Sequence, residues 1–311
     1  MNSDPQSFPF LLEKFLEWLA VHNFAAATIR ARREYLKGFI AWAEQRGLAG
    51  PRDITQPILE RYQHYLFHYR KADGAPLTFR SQLNRLLPIR AWFKWLARYH
   101  HILYNPAGEI ELPKLEHKLP KHVLTAGEAE QVLALPRIDE PLGLRDRAIL
   151  ETLYSTGIRR QELVDLKVYG IDAERGTVTI RRGKNKKDRV VPIGARALAW
   201  IQRYLYEVRP GLLIGEVGGA GDVLFLTSRG EPFTAHHLTY IVTGYVEAAQ
   251  LGKSGSCHLF RHTMATLMLE NGADIRYIQE MLGHAKIETT TIYTQVAIGK
   301  LKEVYERTHP A

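Results

Sequence analysis

A proline- and lysine-rich stretch without helical periodicity divides this chain of 311 residues into two parts. Residues 105–122 hold three prolines and three lysines, and sequences of this kind favour extended backbone over helix. At about 150 residues per domain, the length also suggests two domains. We therefore predict a first domain over 1–112, a linker over 113–121 and a second domain over 122–311.

The first domain is predicted to be a small bundle of four helices. Apolar residues recur there at spacings of three and four, which places them on one face of each helix. In the first two helices the expected inward-facing residues are Phe10, Leu11, Phe15, Trp18, Leu19, Leu36, Phe39, Ile40 and Ala43. Two more helices are expected over about 55–69 and about 76–99, and Pro88 should kink or divide the last one.

The second domain is predicted to be mixed, with mostly helices and a small antiparallel sheet. Thr125 and Glu128 have the spacing of a capping box that opens a helix, and Gly157 can serve as a helix stop. β-rich segments at 177–182 and 189–193 flank a charged turn, so they predict a hairpin. The remaining predicted elements are a short strand at 224–226 and helices at 160–166, 195–208, 234–250, 258–271, 274–281 and 296–306.

The charge balance favours a polyanionic partner. The chain has 42 Lys and Arg against 33 Asp and Glu, a net charge of +9 at pH 7, which suits nucleic acid or an anionic membrane surface. Its single cysteine, Cys257, excludes a disulfide within the chain and a four-cysteine zinc site. No apolar run approaches the roughly 18–20 residues that span a bilayer, and the N-terminal segment lacks the basic start of a secretory signal. We expect a soluble intracellular protein.

Three short motifs carry side chains suited to phosphate chemistry, although each has a simpler interpretation. The segment 181–189 holds six basic residues and one acid, and it is either a solvated loop or a phosphate contact. His258 and Arg261 share a face at a helix start, where a phosphate binds well. His258 and His262 would also suit a metal, but the glutamate of an H-E-x-x-H zinc motif is missing. Tyr293 lies among β-branched residues and would ordinarily be a packed core tyrosine.

The order of these groups favours one chemistry. Arg159, the charged turn, His258, Arg261, His284 and Tyr293 follow one another along the chain, and no obvious carboxylate pair for a metal accompanies them. Without a metal ion, guanidinium groups in fixed positions must stabilise the negative charge on the phosphate oxygens. A phenol must lose its proton to a base, and a departing alkoxide must gain one from an acid. The set therefore suits metal-free attack on a phosphodiester.

The stretch from His258 to Tyr293 resembles the tyrosine recombinases of the phage integrase family, and most of all the Xer-type site-specific recombinases. The match to the family spans nearly the whole chain. Within it, residues 270–274 and 282–284 are segments that are highly specific for this family. The resemblance implies that the first domain is a four-helix, SAM-like core DNA-binding domain. It implies that the second is an α+β tyrosine-recombinase catalytic domain with a small antiparallel sheet, so the fold class is mostly α.

The resemblance implies a role for each matching residue. Arg159 and Arg261 match the arginines that hold the non-bridging phosphate oxygens, and His284 matches a histidine that hydrogen-bonds the same phosphate. His258 completes the His-x-x-Arg box and is expected to accept the phenolic proton. Tyr293 matches the nucleophile that forms a 3′-phosphotyrosine bond.

Further positions support the site or contact DNA. Lys184 matches the hairpin lysine that protonates the 5′-hydroxyl leaving group, and Lys186 stays an alternative because the turn reads Lys-Asn-Lys. Glu162 matches an acid that supports the site without touching the phosphate. DNA contacts are expected from Arg30, Arg80, Asn84, Lys186, Lys187 and His236.

The resemblance implies a DNA recombinase that works through a Holliday junction without metal, ATP or another cofactor. Its expected partners are double-stranded DNA and further copies of itself in a tetramer, with or without a related second recombinase, and no membrane. Residues 296–308 would form a helix that docks on a neighbouring subunit. The expected location is the bacterial cytoplasm, at the nucleoid.

Two alternative functions stay open. One is a catalytically silent DNA-binding protein with an architectural or regulatory role, and the other is a type IB-like nicking–closing enzyme that relaxes DNA without exchanging partners. The target sequence also stays open, as does the choice between chromosome-dimer resolution and mobile-element integration, because base readout depends on a few side chains at the groove edges.

Overall fold

The computed structural model describes residues 4–115, 122–181, 188–213, 221–284 and 287–293. The chain divides into two compact units, Met1–His117 and Lys118–Ala311, and each unit has its own apolar core. Among the described residues, no helix is long and apolar enough to cross a membrane.

Four helices build the first unit: α1 (Phe8–Val21), α2 (Ala26–Glu44), α3 (Gln56–His68) and α4 (Phe79–Arg98). The apolar faces predicted for the first two helices are confirmed. Their buried residues include Leu11, Phe15, Leu19, Leu36, Phe39, Ile40 and Ala43, and Phe10 and Trp18 pack at the edge of the same core. The rings of Trp92 and Phe93 on α4 contact those of Phe8 and Phe39 and fill the centre.

Pro88 was expected to kink or divide this helix; α4 runs through it as one continuous helix, so the proline does not divide it. An interior proline lacks the N–H of one helical hydrogen bond and costs about 3 kcal/mol. Pro88 is itself buried, and Leu86, Ile89 and Trp92 are buried around it. Each such side chain gains about 1.5–3 kcal/mol on burial, so packing offsets the lost bond.

The second unit is mostly helical and contains one small antiparallel sheet, as predicted. Its helices are α5 (Ala126–Ala134), α6 (Pro141–Thr156), α7 (Arg160–Val164), α8 (Ala195–Arg203), α9 (Arg209–Leu212), α10 (Ala235–Ala248), α11 (Cys257–Glu270) and α12 (Ile275–Leu282). Its strands are β1 (Ile171–Asp172), β2 (Thr177–Ile180) and β3 (Arg189–Pro192), in that spatial order, with Val178 opposite Val191. The capping box of Thr125 and Glu128 is present at the start of α5.

Two predicted elements differ from the structure. The segment 224–226 is no strand: Val223 and Leu226 form isolated bridges to Lys167 and Pro232, and the buried guanidinium of Arg209 binds the carbonyl oxygens of Val223 and Leu224. The helix predicted over 195–208 changes to a π-helical turn at Tyr204–Val208. Strand β1 was not predicted. The hairpin tip and the helix expected at 296–306 lie outside the described residues.

The start of α4 offers a test of the first unit. The Oγ1 of Thr78 accepts a hydrogen bond from the backbone N–H of Ser81 at 3.2 Å, and loss of such a cap costs about 1 kcal/mol. Thr55 occupies the same position before α3 but forms no side-chain cap. We expect Thr78→Ala to lower the free energy of unfolding by about 1 kcal/mol and Thr55→Ala to lower it by less than half as much.

The measurement is urea unfolding followed by tryptophan fluorescence. Four of the five tryptophans, Trp18, Trp42, Trp92 and Trp95, belong to the first unit. Equal losses in the two variants would contradict the capping role of Thr78.

Candidate active site

Three consecutive carbonyl oxygens at the end of α12 each accept a hydrogen bond from a different arginine. The last carbonyls of a helix have no partner within the helix and carry its negative dipole end, so they attract cations. The oxygen of Met281 accepts from Nε of Arg189 at 2.9 Å, that of Leu282 from Nη2 of Arg261 at 2.7 Å, and that of Gly283 from Nη2 of Arg159 at 2.9 Å. The end of α12 thereby holds side chains from three other elements.

Arg261 is also bound by the end of a second helix. Its Nη1 donates to the carbonyl oxygen of Gly157, the residue that ends α6, at 2.6 Å. Gly157 has φ +56°, and a Cβ there would lie 2.1 Å from Cε of Met264. The positive φ strains any residue with a Cβ, so glycine is favoured at this position. Arg261 is only 4% exposed, and burial, together with the charge of Arg159, lowers its pKa to about 10.

Glu162 joins two of the arginines. Its Oε1 accepts from Nη1 of Arg159 at 2.9 Å, and both its oxygens accept from Arg189, at 2.8 and 2.7 Å. The backbone N–H of Arg159 also donates to Oε2 at 2.8 Å. Burial alone would raise the pKa of Glu162, but the hydrogen bonds from Arg189 and Arg159 outweigh it and lower the pKa to about 2. Glu162 is therefore ionised at neutral pH and fixes both guanidinium planes.

His284 connects the arginines to the turn that carries Tyr293. Its Nε2 lies 3.0 Å from Nη2 of Arg261 and its Nδ1 lies 2.9 Å from Oγ1 of Thr290. Because the guanidinium can only donate, Nε2 accepts and Nδ1 carries the ring proton. The carbonyl oxygen of Thr290 in turn accepts from the backbone N–H of Tyr293 at 3.0 Å.

The phenol of Tyr293 is buried at this site. The side chain is 1% exposed and packs with Met264, Ala265 and Leu282. Burial raises the pKa of Tyr293, and the positive charges of Arg261 and Arg159 lower it in part. The phenol oxygen lies 3.1 Å from Nδ1 of His262. Tyr293 is thus both a core residue, as its neighbours suggested, and a neighbour of the arginines.

His258 lies at the start of α11 with an exposed side chain. Neighbouring groups still remove part of the water around its imidazole ring. This desolvation, together with the positive charges of Arg261, Arg160 and Arg159, lowers the pKa of His258. Among the described residues, Tyr293 forms its hydrogen bond with His262, and no hydrogen bond joins it to His258. The expected role of His258 as acceptor of the phenolic proton stays a prediction.

The structure thus brings together Arg159, Glu162, Arg261, His284 and Tyr293, five of the residues predicted from sequence. Lys184, Lys186 and Lys187 lie outside the described residues. Of the residues expected to contact DNA, Arg30 is exposed on α2, Arg80 and Asn84 are exposed on α4, and His236 is exposed on α10.

Two residues at the site were not predicted to act there. In the sequence Arg189 is the last residue of a charged segment and the first of a predicted strand, with no role at the site. The two-residue period of β3 nevertheless places it on the same face as buried Val191, while Val190 is 61% exposed. His262 was considered only as a metal ligand with His258. Within the described residues, no group of three His, Cys, Asp or Glu side chains is arranged to hold a metal ion.

Comparison with known proteins gives consistent matches. Residues 122–299 match the model of the phage integrase family. Tyrosine recombinase XerC 2 of Ralstonia nicotianae is 51% identical over 300 residues, which cover 96% of this chain and 85% of the relative. Tyrosine recombinase XerD of Pseudomonas aeruginosa is 37% identical over 302 residues, which cover 96% of this chain and 97% of the relative.

Solved structures share the fold. The crystal structure of XerA recombinase matches with a TM-score of 0.54 and 27% identity, over 97% of this chain and 99% of the other. The XerH site-specific recombinase bound to a palindromic difH substrate, in a post-cleavage complex, matches with a TM-score of 0.70 and 24% identity, over 94% of this chain and 82% of the other.

The low pKa of Glu162 predicts a pH-dependent contribution to stability. A pKa of about 2 in the folded state, against about 4.3 for an unperturbed glutamate, corresponds to about 3 kcal/mol. Because the folded pKa is the lower one, this stabilisation is complete above the unfolded pKa and is lost as the pH falls towards 2. We expect Glu162→Gln to be less stable than the wild type at pH 7, with a difference that falls by about half by pH 3.

Urea unfolding at several pH values, followed by circular dichroism, measures this difference. The matched control is Glu207→Gln, which removes an exposed pairing with Arg203 in the same unit and should change stability much less. A pH-independent difference for Glu162→Gln would show that the carboxylate is not stabilised as an anion.

Proposed function

This chain belongs to the phage integrase family and is a tyrosine site-specific recombinase, and we propose that it cuts and rejoins double-stranded DNA through a covalent bond between Tyr293 and a 3′-phosphate. One observation carries this proposal: Arg159, Arg261 and His284 are held together beside the turn that bears a tyrosine. The relatives named above are called tyrosine recombinases and cover nearly all of this chain.

The charges at the site suit one phosphodiester. Among the described residues, the guanidinium groups of Arg159, Arg189 and Arg261 lie near one carboxylate, that of Glu162, so this cluster carries excess positive charge. Hydrogen bonds found among the described residues use two N–H groups of Arg159 and three of Arg261. A guanidinium has five, so donors remain for the phosphate oxygens.

The proposed cleavage step balances without a metal ion or ATP. The Tyr293 oxygen forms a bond to phosphorus and the bond from phosphorus to O5′ breaks. The phenolic proton goes to a base, for which His258 is the expected residue, and the leaving O5′ receives a proton from Lys184 or Lys186. Arg159 and Arg261 stabilise the charge on the non-bridging oxygens, where a metal would otherwise be needed. One phosphodiester replaces another, so no external energy source is required.

Rejoining to a different strand makes the reaction a recombination. A 5′-hydroxyl of a second duplex attacks the phosphotyrosine and releases Tyr293, and repetition on the other strand pair resolves a Holliday junction. We propose that four copies act together on two duplexes, with or without a related second recombinase. Residues 296–308, which lie outside the described residues, are proposed to dock on a neighbouring copy.

We propose that the two parts of the chain divide the work. Residues 1–112 would bind the core of the recombination site, with 113–121 as the linker and 122–311 as the catalytic domain. Proposed DNA contacts are Arg30, Arg80, Asn84, Lys186, Lys187 and His236. Their positive charges or exposed polar groups support phosphate or groove contact. DNA as the partner also supports a bacterial cytoplasmic, nucleoid-associated location.

Covalent trapping tests the nucleophile. The substrate is a nicked duplex with a site selected for binding by this protein from random sequences, and the buffer contains EDTA. Because the nick lets the short cleaved fragment diffuse away, we expect the wild type to accumulate a protein–DNA band on a denaturing gel and Tyr293→Phe to give none. Tyr277→Phe, at an exposed tyrosine of α12, should retain the band.

The other outcomes favour named alternatives. If no variant forms a band on DNA that all of them bind, the silent DNA-binding protein becomes the better description. A band with Tyr293→Phe would assign the nucleophile to another residue. Relaxation of supercoiled DNA without exchange between two duplexes would favour the nicking–closing enzyme.

A sulfur substitution distinguishes Lys184 from Lys186. When sulfur replaces O5′ at the cleaved bond, the leaving thiolate needs no proton, because a thiol has a pKa of about 8.5. We expect Lys184→Ala to slow cleavage of ordinary DNA by about 10²- to 10⁴-fold and to cleave the sulfur-containing DNA at close to the wild-type rate. Lys186→Ala is the matched control, and the same pattern in that variant would identify Lys186 as the acid.

A further inference from the structure

The phenol of Tyr293 is held by a side chain that the proposed cleavage step does not use. Nδ1 of His262 lies 3.1 Å from the phenol oxygen, and the two rings are 5.6 Å apart at 53°. His262 follows Arg261 directly on α11, a helix of 14 residues. The hydrogen bond therefore connects a short turn, Thr291–Tyr293, to a rigid element of the site.

This position of the phenol is not one from which it can attack DNA. Tyr293 is 1% exposed, whereas in-line attack requires direct contact between the phenol oxygen and phosphorus of a bulky duplex. The phenol must therefore move outwards before the reaction. Among the described residues its apolar neighbours are Met264, Ala265, Ile278 and Leu282, and the hydrogen bond to His262 adds to this packing the contact that fixes the phenol oxygen.

The surroundings of His262 make it a poor proton acceptor in this state. Burial, followed by the charges of His258 and Arg261, lowers the pKa of His262 to about 4, while burial raises the pKa of Tyr293. A base this weak does not take a proton from an acid this weak, so the hydrogen bond joins two neutral groups. The contact is therefore suited to holding the phenol and not to ionising it.

We propose that His262 is a positioning residue that keeps the Tyr293 phenol in a resting position, and that this hydrogen bond breaks before Tyr293 reaches a DNA phosphate. The proposal rests on the proposed role of Tyr293 as nucleophile. A neutral hydrogen bond contributes about 0.5–1.5 kcal/mol, so its loss raises the ratio of released to resting phenol by about 2- to 12-fold.

The test compares His262→Leu with His262→Asn, which have the same shape. Leucine removes the hydrogen bond, whereas the asparagine amide lies close to the place of Nδ1 and retains a polar partner. The readout is the single-turnover rate of covalent complex formation on the nicked duplex at saturating DNA. We expect His262→Leu to react about 2- to 12-fold faster than wild type, with an unchanged Kd for DNA, and His262→Asn to react at close to the wild-type rate.

Two outcomes would overturn the proposal. A rate for His262→Leu that is tenfold or more below wild type would make His262 a proton acceptor or a structural residue. Equal rates in all three proteins would show that the hydrogen bond does not restrain the nucleophile. Either result leaves the band assay with Tyr293→Phe unaffected, so failure here is distinct from failure of the proposed function.

A second measurement needs no catalysis and no His262 variant. 3-Fluorotyrosine placed at position 293 reports the surroundings of the phenol by ¹⁹F NMR. With Arg159→Ala also present to prevent cleavage, we expect DNA binding to move the resonance from a buried to a solvent-exposed shift. An unchanged resonance in the DNA complex would contradict release of the phenol, even if the leucine variant fails to fold.

Discussion

The hydrogen bonds between arginine side chains and the ends of two helices hold this site together. Arg261 is bound by the end of α6 through Gly157 and by the end of α12 through Leu282. The last turn of α12 binds Arg159 and Arg189 as well. Helix ends have unpaired carbonyl oxygens and a negative dipole, so each cation satisfies groups that would otherwise be buried without a partner. The packing of helices therefore fixes the positions of the charges.

The same arrangement separates a rigid part of the site from a part that can move. The arginines are fixed by backbone carbonyl oxygens at two helix ends and by the buried carboxylate of Glu162, which accepts from both Arg159 and Arg189. Within the part of the chain that the structure describes, Tyr293 is held instead by side chains and by a backbone bond to Thr290 in a short turn. A phosphate-binding group benefits from preorganisation, whereas a nucleophile that must act only at the right moment benefits from a weaker hold.

Much of the fold and part of the site were accessible from the sequence. The helices of the first unit follow from apolar spacing, and the capping box of Thr125 fixes where the second unit begins its first helix. Local spacing cannot reveal the bonds from Arg189 to Glu162 and Met281, because they join residues 27 and 92 positions apart.

Bringing these cations together has an energetic consequence that favours an anionic substrate. The pKa of Arg261 falls to about 10 because it is buried and because Arg159 is near. The difference from about 12.5 corresponds to about 3 kcal/mol by which the folded protein disfavours this charge. A bound phosphate supplies the missing negative charge and recovers part of that free energy. The free energy by which the free protein disfavours the Arg261 charge thus contributes to the binding of an anion. The fold tolerates this buried charge because α6 and α12 are held by their own apolar packing.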